Sequence, residues 1–168
     1  MVTLVVLLGY SAAFDTVDHS VMLDLLERRC GLTDDALRWH TSYLHSRSYA
    51  IASGGATSET ADLGCSLLQV SSLGPLKFVV YATDLHAVTR HHNVRLHSFA
   101  DDTQLYRHTT IRDVQLAKRD TITAIMDINA WSHSHRLKLN AQKSEVIWLE
   151  TRQQPGTHSP KSNFVKMA

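Results

Sequence analysis

The chain has 168 residues, of which 43% are hydrophobic and 20% are charged. This length suits one compact domain with a sizeable core, and the composition excludes a disordered or fibrous protein. The formal net charge is +1, from 17 basic and 16 acidic residues, which argues against a nucleic-acid binder that acts through bulk positive charge alone.

Residues 2–8 (VTLVVLL) form an apolar segment that is too short to span a membrane. The basic region that precedes the apolar part of a signal peptide is missing, so we expect a buried β-strand here and no membrane partner. Cys30 and Cys65 lie far apart, without a metal-ligand or redox spacing. Such cysteines fit the reduced, buried thiols of an intracellular protein better than a disulfide framework.

Two helices and two short strands are predicted to follow this first strand. Asp18 is placed to cap the first helix, and Gly31 is placed to end it. The second helix begins after Thr33, because two aspartates fall in its first turn. Residues 48–53 and 59–65 are predicted to be short strands that flank a glycine turn.

The second half of the chain predicts a hairpin between helices. Residues 73–85 are predicted to be helical, and residues 94–99 and 103–107 alternate as two strands that pair around an acidic tip. Thr110 is placed at the start of a long amphipathic helix, and residues 144–149 form a last strand.

This order of elements predicts an α/β (α+β) fold with a mostly antiparallel sheet and helices packed on one face. Residues 151–168 turn polar and contain Pro155, Gly156 and Pro160. We therefore expect a disordered C-terminal tail over 151–168.

Asp101 and Asp102 are adjacent at the acidic tip of the predicted hairpin. Two like charges repel at this range, so the pair is costly unless a cation binds it. Carboxylate oxygens suit Mg²⁺ or Mn²⁺, the ions that polymerases use. A solvated Asp-Asp turn is the alternative, and for the dipeptide alone it is the more common case.

Four sequence motifs occur in order along the chain. They are residues 11–19 (SAAFDTVDH), residues 73–76 (LGPL), residues 99–102 (FADD), and residues 137–140 (LKLN) followed by 143–145 (KSE). Together they resemble the palm motifs of reverse transcriptases from LINE-type, non-LTR retrotransposons. The resemblance implies a palm-like domain over residues 1–150, with fingers and thumb largely missing.

The resemblance also implies an RNA-templated DNA polymerase, with an RNA template, a DNA primer and dNTPs as partners and Mg²⁺ or Mn²⁺ as cofactor. Asp101 and Asp102 match the catalytic, metal-binding pair. Phe14 matches the aromatic residue beneath the incoming sugar, Gln69 a residue of the nucleotide pocket, and Lys143 a lysine near the triphosphate. Each of these three residues has an ordinary alternative: simple packing in the core for Phe14, a loop position for Gln69, and a solvated lysine at a strand end for Lys143.

The chain departs from the family pattern at three positions. The family's first motif reads LDLSAAFD, whereas residues 8–15 read LGYSAAFD, so Gly9 stands where the family has its principal metal-binding aspartate. Val70 stands where the second motif has a glycine. Lys77 replaces an apolar helix residue, and we expect its ammonium group to reach solvent. We therefore expect a degenerate fragment with impaired polymerase chemistry.

Two other functions stay open at this point. One is a non-catalytic palm-fold remnant that binds nucleic acid or protein, or has no function. The other is an unrelated α/β interaction module in which the Asp-Asp turn is incidental. Trp39, Trp131 and Trp148 fall on apolar faces, so we expect them to pack in the core rather than to stack on bases.

Overall fold

The computed structural model describes residues 1–68, 71–150 and 162–166. The chain forms two compact units, one from Met1–Ala13 with Ala82–Ala168 and the other from Phe14–Tyr81. We call them the sheet unit and the helical unit. The expected single palm-like domain over 1–150 stays a prediction.

The elements follow one another in nearly the predicted order. The helices are α1 (His19–Cys30), α2 (Asp34–Leu44), α3 (Leu73–Tyr81), α4 (Leu85–Thr89) and α5 (Val114–Ser134). The strands are β1 (Val2–Ser11), β2 (Ser48–Tyr49), β3 (Ala52–Ser53), β4 (Ala56–Thr57), β5 (Ala61–Asp62), β6 (Arg95–Phe99), β7 (Asp102–Thr109), β8 (Lys138–Glu150) and β9 (Ser162–Lys166).

The sheet unit contains a five-stranded sheet in the order β6-β7-β1-β8-β9, in which every pairing is antiparallel. Side chains alternate along β1, and those of Leu4, Val6 and Leu8 are buried. They share a core with Leu85 of α4 and Ile128 of α5, which cover this face of the sheet. The predicted fold class, an α/β fold with an antiparallel sheet and helices on one face, is confirmed.

The predicted disordered tail differs from the structure over Ser162–Lys166, because these residues form β9 and pair with β8 from Glu145 to Leu149. A strand that lies at the edge of a sheet offers unpaired backbone donors and acceptors, and β9 satisfies those of β8. Residues 151–161 and 167–168 of the predicted tail lie outside the described residues.

The helical unit begins with the two helix signals that the sequence predicts. The Asp18 carboxylate accepts hydrogen bonds from the backbone N–H groups of Ser20 (2.8 Å) and Val21 (3.2 Å), so it caps α1. Gly31 ends α1 with φ of +67°. Helix α1 packs against both α2 and α3, and the buried side chains include Met22 and Phe78.

Two expectations for the elements were only partly correct. The predicted helix over 73–85 is interrupted after Tyr81, and the chain resumes as α4 at Leu85. The predicted strands over 48–53 and 59–65 are reduced to the two-residue strands β2 to β5. Among the described residues, no helix is both long enough and apolar enough to cross a membrane.

Candidate functional site

The acidic hairpin joins β6 to β7 through a loop of two residues, Ala100 and Asp101. Phe99 pairs with Asp102 at the base of this loop, and the Phe99 side chain is 78% exposed. Ala100 has φ of +52°, a left-handed conformation that costs a residue with a Cβ about 1 kcal/mol. The ladder on both sides holds the tip in this conformation, with Asp101 half-buried and Asp102 exposed.

A cavity of about 340 Å³ lies beside this hairpin in the sheet unit. Its lining includes Asp101 and Asp102 from the hairpin, Gly9 from β1, and Lys143 and Glu145 from β8. These residues meet because β1 lies between β7 and β8 in the sheet. The structure therefore brings together the two predicted metal ligands, the predicted phosphate-binding lysine and the position of the missing aspartate.

The pairing of β1 with β8 changes register at Gly9. Leu7 pairs with Glu145, but Gly9 pairs with Asn140, so β8 carries extra residues and bulges between these two pairs. A Cβ atom built on Gly9 would lie 2.6 Å from Lys143 Cβ and 3.1 Å from the Lys143 carbonyl oxygen. Position 9 therefore has no room for a side chain unless β8 moves.

Side chains of the fourth sequence motif stabilise this bulge. The Gly9 backbone N–H donates to Ser144 Oγ at 3.4 Å, and Ser144 Oγ donates to the Asn140 carbonyl oxygen at 2.8 Å. The Gln142 backbone N–H donates to Asn140 Oδ1 at 2.9 Å. The sequence analysis recognised Asn140 and Ser144 as parts of a motif but missed this role. The signal was an Asn within a strand, which favours a local turn.

Tyr10 also lines the cavity, and the sequence analysis assigned it no role. It occupies the position where the family's first motif has a leucine. The Tyr10 hydroxyl is buried and accepts a hydrogen bond from Ser132 Oγ of α5 at 3.5 Å. Burial raises the pKa of Tyr10 above its usual value. Tyr10 thus stays neutral and anchors β1 to α5.

The carboxylates of the cavity do not form a complete metal site. Asp101, Asp102 and Glu145 offer hard oxygen donors of the kind that Mg²⁺ and Mn²⁺ prefer. However, no three His, Cys, Asp or Glu side chains in residues 1–68 and 71–150 lie close enough together to hold an ion. Because Gly9 has no side-chain carboxylate and its position has no room for one, these residues do not fit a two-metal centre.

The two predicted nucleotide-binding residues outside β8 belong to the helical unit. Phe14 lies in a 3₁₀ turn (Ala13–Thr16), is half-buried, and stacks on Phe78 with ring centroids 5.1 Å apart. This contact fits the packing alternative and leaves a nucleotide role as a prediction. Gln69, like Val70, lies outside the described residues.

Two further expectations for the helical unit were wrong. Lys77 is only 2% exposed, so its ammonium group does not reach solvent, and its Nζ atom has no hydrogen-bond partner among the described residues. Trp39 is 50% exposed rather than packed in the core. Trp131 and Trp148 do pack against the core of the sheet unit, as expected.

No family model and no curated protein matches the sequence. Among solved structures, the chain is similar to an apo telomerase from Candida tropicalis truncated from its C-terminal domain, with a TM-score of 0.65 and 10% identity over 99% of this chain and 34% of that chain. The chain is also similar to a telomerase from Candida albicans in complex with a TWJ fragment of telomeric RNA. That match has a TM-score of 0.49 and 12% identity, and it covers 92% of this chain and 27% of that chain.

The fold is similar to that of part of a telomerase. The chain spans about a third of the length of the first of these telomerase chains. At 10% identity this likeness concerns the fold alone.

Proposed function

We propose that this chain is a palm fragment of a non-LTR retrotransposon reverse transcriptase whose DNA polymerase chemistry is impaired. The single observation that carries the proposal is the cavity where the Asp101–Asp102 hairpin, Gly9 and Lys143 meet. These residues come from three motifs that are far apart in sequence, and an unrelated module with an incidental Asp-Asp turn would have no reason to gather them. The telomerase-like fold supports the same ancestry.

The impairment follows from the absence of a carboxylate at Gly9. Removing one electrostatic stabiliser of a transition state typically reduces the rate by roughly 10²–10³. Loss of a bridging carboxylate reduces it at least as much, because fewer ligands hold the divalent cation. In this proposal Mg²⁺ or Mn²⁺ still approaches Asp101 and Asp102, but it binds weakly.

Primer extension tests this proposal with an RNA template, a DNA primer and dNTPs, in Mg²⁺ and separately in Mn²⁺. We expect the natural chain to extend the primer no faster than Asp101→Asn, which removes a charge from the cavity. Extension by the natural chain that disappears in Asp101→Asn would contradict the impairment and show that another group supplies the missing ligand.

Restoring the ligand requires two substitutions. Gly9→Asp alone places a Cβ 2.6 Å from Lys143 Cβ, so the informative variant is Gly9→Asp combined with Lys143→Gly. Recovery of extension would identify position 9 as the decisive lesion, although the double variant also lacks the lysine predicted near the triphosphate. Without recovery, the predicted nucleotide loop around Gln69 and Val70 would limit activity as well.

The free cysteines fit an intracellular location in this proposal. The expected burial of these thiols was wrong, because Cys30 is exposed at the end of α1 and Cys65 is partly exposed. Neither forms a disulfide among the described residues. A reducing compartment keeps such thiols free. The runner-up function is a non-catalytic remnant that binds nucleic acid or protein, and one feature of the helical unit favours the nucleic-acid version.

A further inference from the structure

Trp39 and Tyr43 are four residues apart on one face of α2, and Arg47, which follows the end of the helix at Leu44, folds back over Tyr43. The Trp39 and Tyr43 rings stack with centroids 5.5 Å apart and planes 14° apart. The Arg47 guanidinium lies 4.5 Å from the centroid of Tyr43, and Arg47 Nε donates to the Tyr43 carbonyl oxygen at 2.7 Å. We call these three residues and Lys77 the aromatic–cation cluster.

Trp39 forms the solvent-facing part of the aromatic–cation cluster. Trp39 is 50% exposed, although two rings pack against it. The Tyr43 ring stacks on it with centroids 5.5 Å apart, and the His40 ring meets it edge-on with centroids 4.9 Å apart. A single exposed aromatic residue is ordinary on a protein surface. An exposed indole that is held flat on a second ring and flanked by cations is a stacking platform.

Lys77 places an uncompensated charge against the same rings. Its Nζ atom lies 3.6 Å from the Tyr43 centroid and 5.8 Å from that of Trp39, and no described residue forms a hydrogen bond with it. Burial, followed by the charge of Arg47, lowers the pKa of Lys77 to about 8. A buried cation without an anion is costly, so an anion bound nearby would stabilise its charged form.

Arg47 is the group that an anion would contact directly. Among the described residues, the guanidinium of Arg47 donates through Nε alone, so its two terminal nitrogens have no partner there. Neither Arg47 nor Lys77 pairs with a carboxylate within the described part of the helical unit. The carboxylate nearest in sequence on this face is that of Asp35, one turn before Trp39, and it pairs with Arg38. Two cations that no described carboxylate neutralises therefore accompany the stacked rings.

We propose that the aromatic–cation cluster binds single-stranded nucleic acid, with an unpaired base stacked on Trp39 and a backbone phosphate on Arg47. Lys77 supplies a second positive charge from beneath the Tyr43 ring. A base within a duplex has both faces covered by its neighbours, so only an unpaired base can offer a face to the indole. An acidic peptide would satisfy Arg47 but would leave the exposed ring without a partner.

This site is independent of the proposed polymerase chemistry, because it uses no residue of the cavity and no metal ion. Binding is therefore measured in EDTA, where divalent cations are removed. A chain that binds a single strand in EDTA but does not extend a primer would support this inference and leave the polymerase proposal to its own test.

The experiment measures fluorescence anisotropy of a labelled single-stranded DNA of about 12 nucleotides, a length within the range of single-strand sites. The full chain is compared with Trp39→Leu and with the control Tyr49→Leu, which removes another 50%-exposed aromatic side chain of the helical unit. We expect Kd to rise roughly 10-fold or more in Trp39→Leu and to stay unchanged in the control. Circular dichroism checks that each variant is folded.

Arg47→Gln tests the phosphate contact separately. We expect weaker binding and a salt dependence reduced by about one counterion, because one phosphate contact is lost. Three results would overturn the inference: no binding of the single strand, equal binding by Trp39→Leu, or equal binding of a duplex or of polyglutamate of matched charge.

Discussion

The two units differ in contrasting ways from the family motifs that the chain resembles. In the sheet unit, Gly9 stands where those motifs have an aspartate, and the neighbouring strand leaves no space there, with Lys143 Cβ 2.6 Å from where a side chain would begin. In the helical unit, Lys77 stands where those motifs have an apolar residue, and its Nζ atom is buried without a hydrogen-bond partner among the described residues. Packing fills the space at the first position, whereas no described hydrogen bond satisfies the charge at the second.

This difference teaches that introducing the residue of those motifs has opposite consequences at the two positions. At Gly9 an aspartate does not fit, so the change should destabilise the fold. At Lys77 an apolar residue fits, so the change should stabilise it. The following predictions test the contrast by the free energy of unfolding, measured by urea denaturation.

The largest expected effect is that of Gly9→Asp, which should lower the stability by about 3 kcal/mol. The new side chain forces β8 away from β1 and places a carboxylate at a buried position. Gly64→Asp is the matched control, because a Cβ at Gly64 meets no atom within 4 Å. If Gly9→Asp were as stable as Gly64→Asp, position 9 would not be closed.

Lys77→Met should raise the stability by about 2 kcal/mol at neutral pH. Methionine keeps most of the volume and removes the desolvated charge whose pKa is lowered to about 8. The expected gain is less than the full pKa shift would give, since screening by solvent reduces it. Lys118→Met, which changes an exposed lysine of α5, should leave the stability unchanged. A loss of stability in Lys77→Met would mean that the contacts of Lys77 with the rings outweigh its desolvation.

Ser144→Ala should lower the stability by about 1 kcal/mol. Its hydroxyl accepts from the Gly9 N–H and donates to the Asn140 carbonyl oxygen, so the change leaves both backbone groups without this partner. Ser48→Ala, at an exposed position of β2, serves as the control. Equal stabilities would show that Ser144 does not hold the bulge.

The pH dependence of stability should show the smallest effect. The pKa of Lys77 is lower in the folded chain than its usual 10.5, so the unfolded chain binds more protons between about pH 8 and the usual value. Stability should therefore rise by roughly 0.5–1 kcal/mol from about pH 7.5 to about pH 9. This rise should be absent in Lys77→Met. A rise of equal size in both proteins would assign it to other groups.

Local rules predicted much of the fold. Asp18 and Gly31 act within one helical turn, so the sequence sufficed to predict where α1 begins and ends. The sequence also sufficed to predict the acidic hairpin, because apolar and polar residues alternate in both strands that flank Asp101.

The remaining features depend on neighbours that are distant in sequence. The lack of space at Gly9 arises from a bulge in β8, more than 130 residues later in the chain. No local sequence pattern predicts which residue of β8 lies against Gly9. The burial of Lys77 depends on where α2 places Tyr43. Trp39 was expected in the core because its face is apolar, but a half-exposed ring at the rim of that face has the same sequence pattern.

The central position of β1 has a consequence for folding. Val2 pairs with Thr109 on one side and with Glu150 on the other. Strand β1 is therefore synthesised more than 100 residues before the partners that pair with its first residue. Contacts so distant in sequence slow folding. In the meantime an apolar segment with two open edges is exposed to other chains, which favours aggregation during synthesis. We therefore expect the yield of native protein to depend on chaperones that shield residues 2–11 until β7 and β8 have left the ribosome.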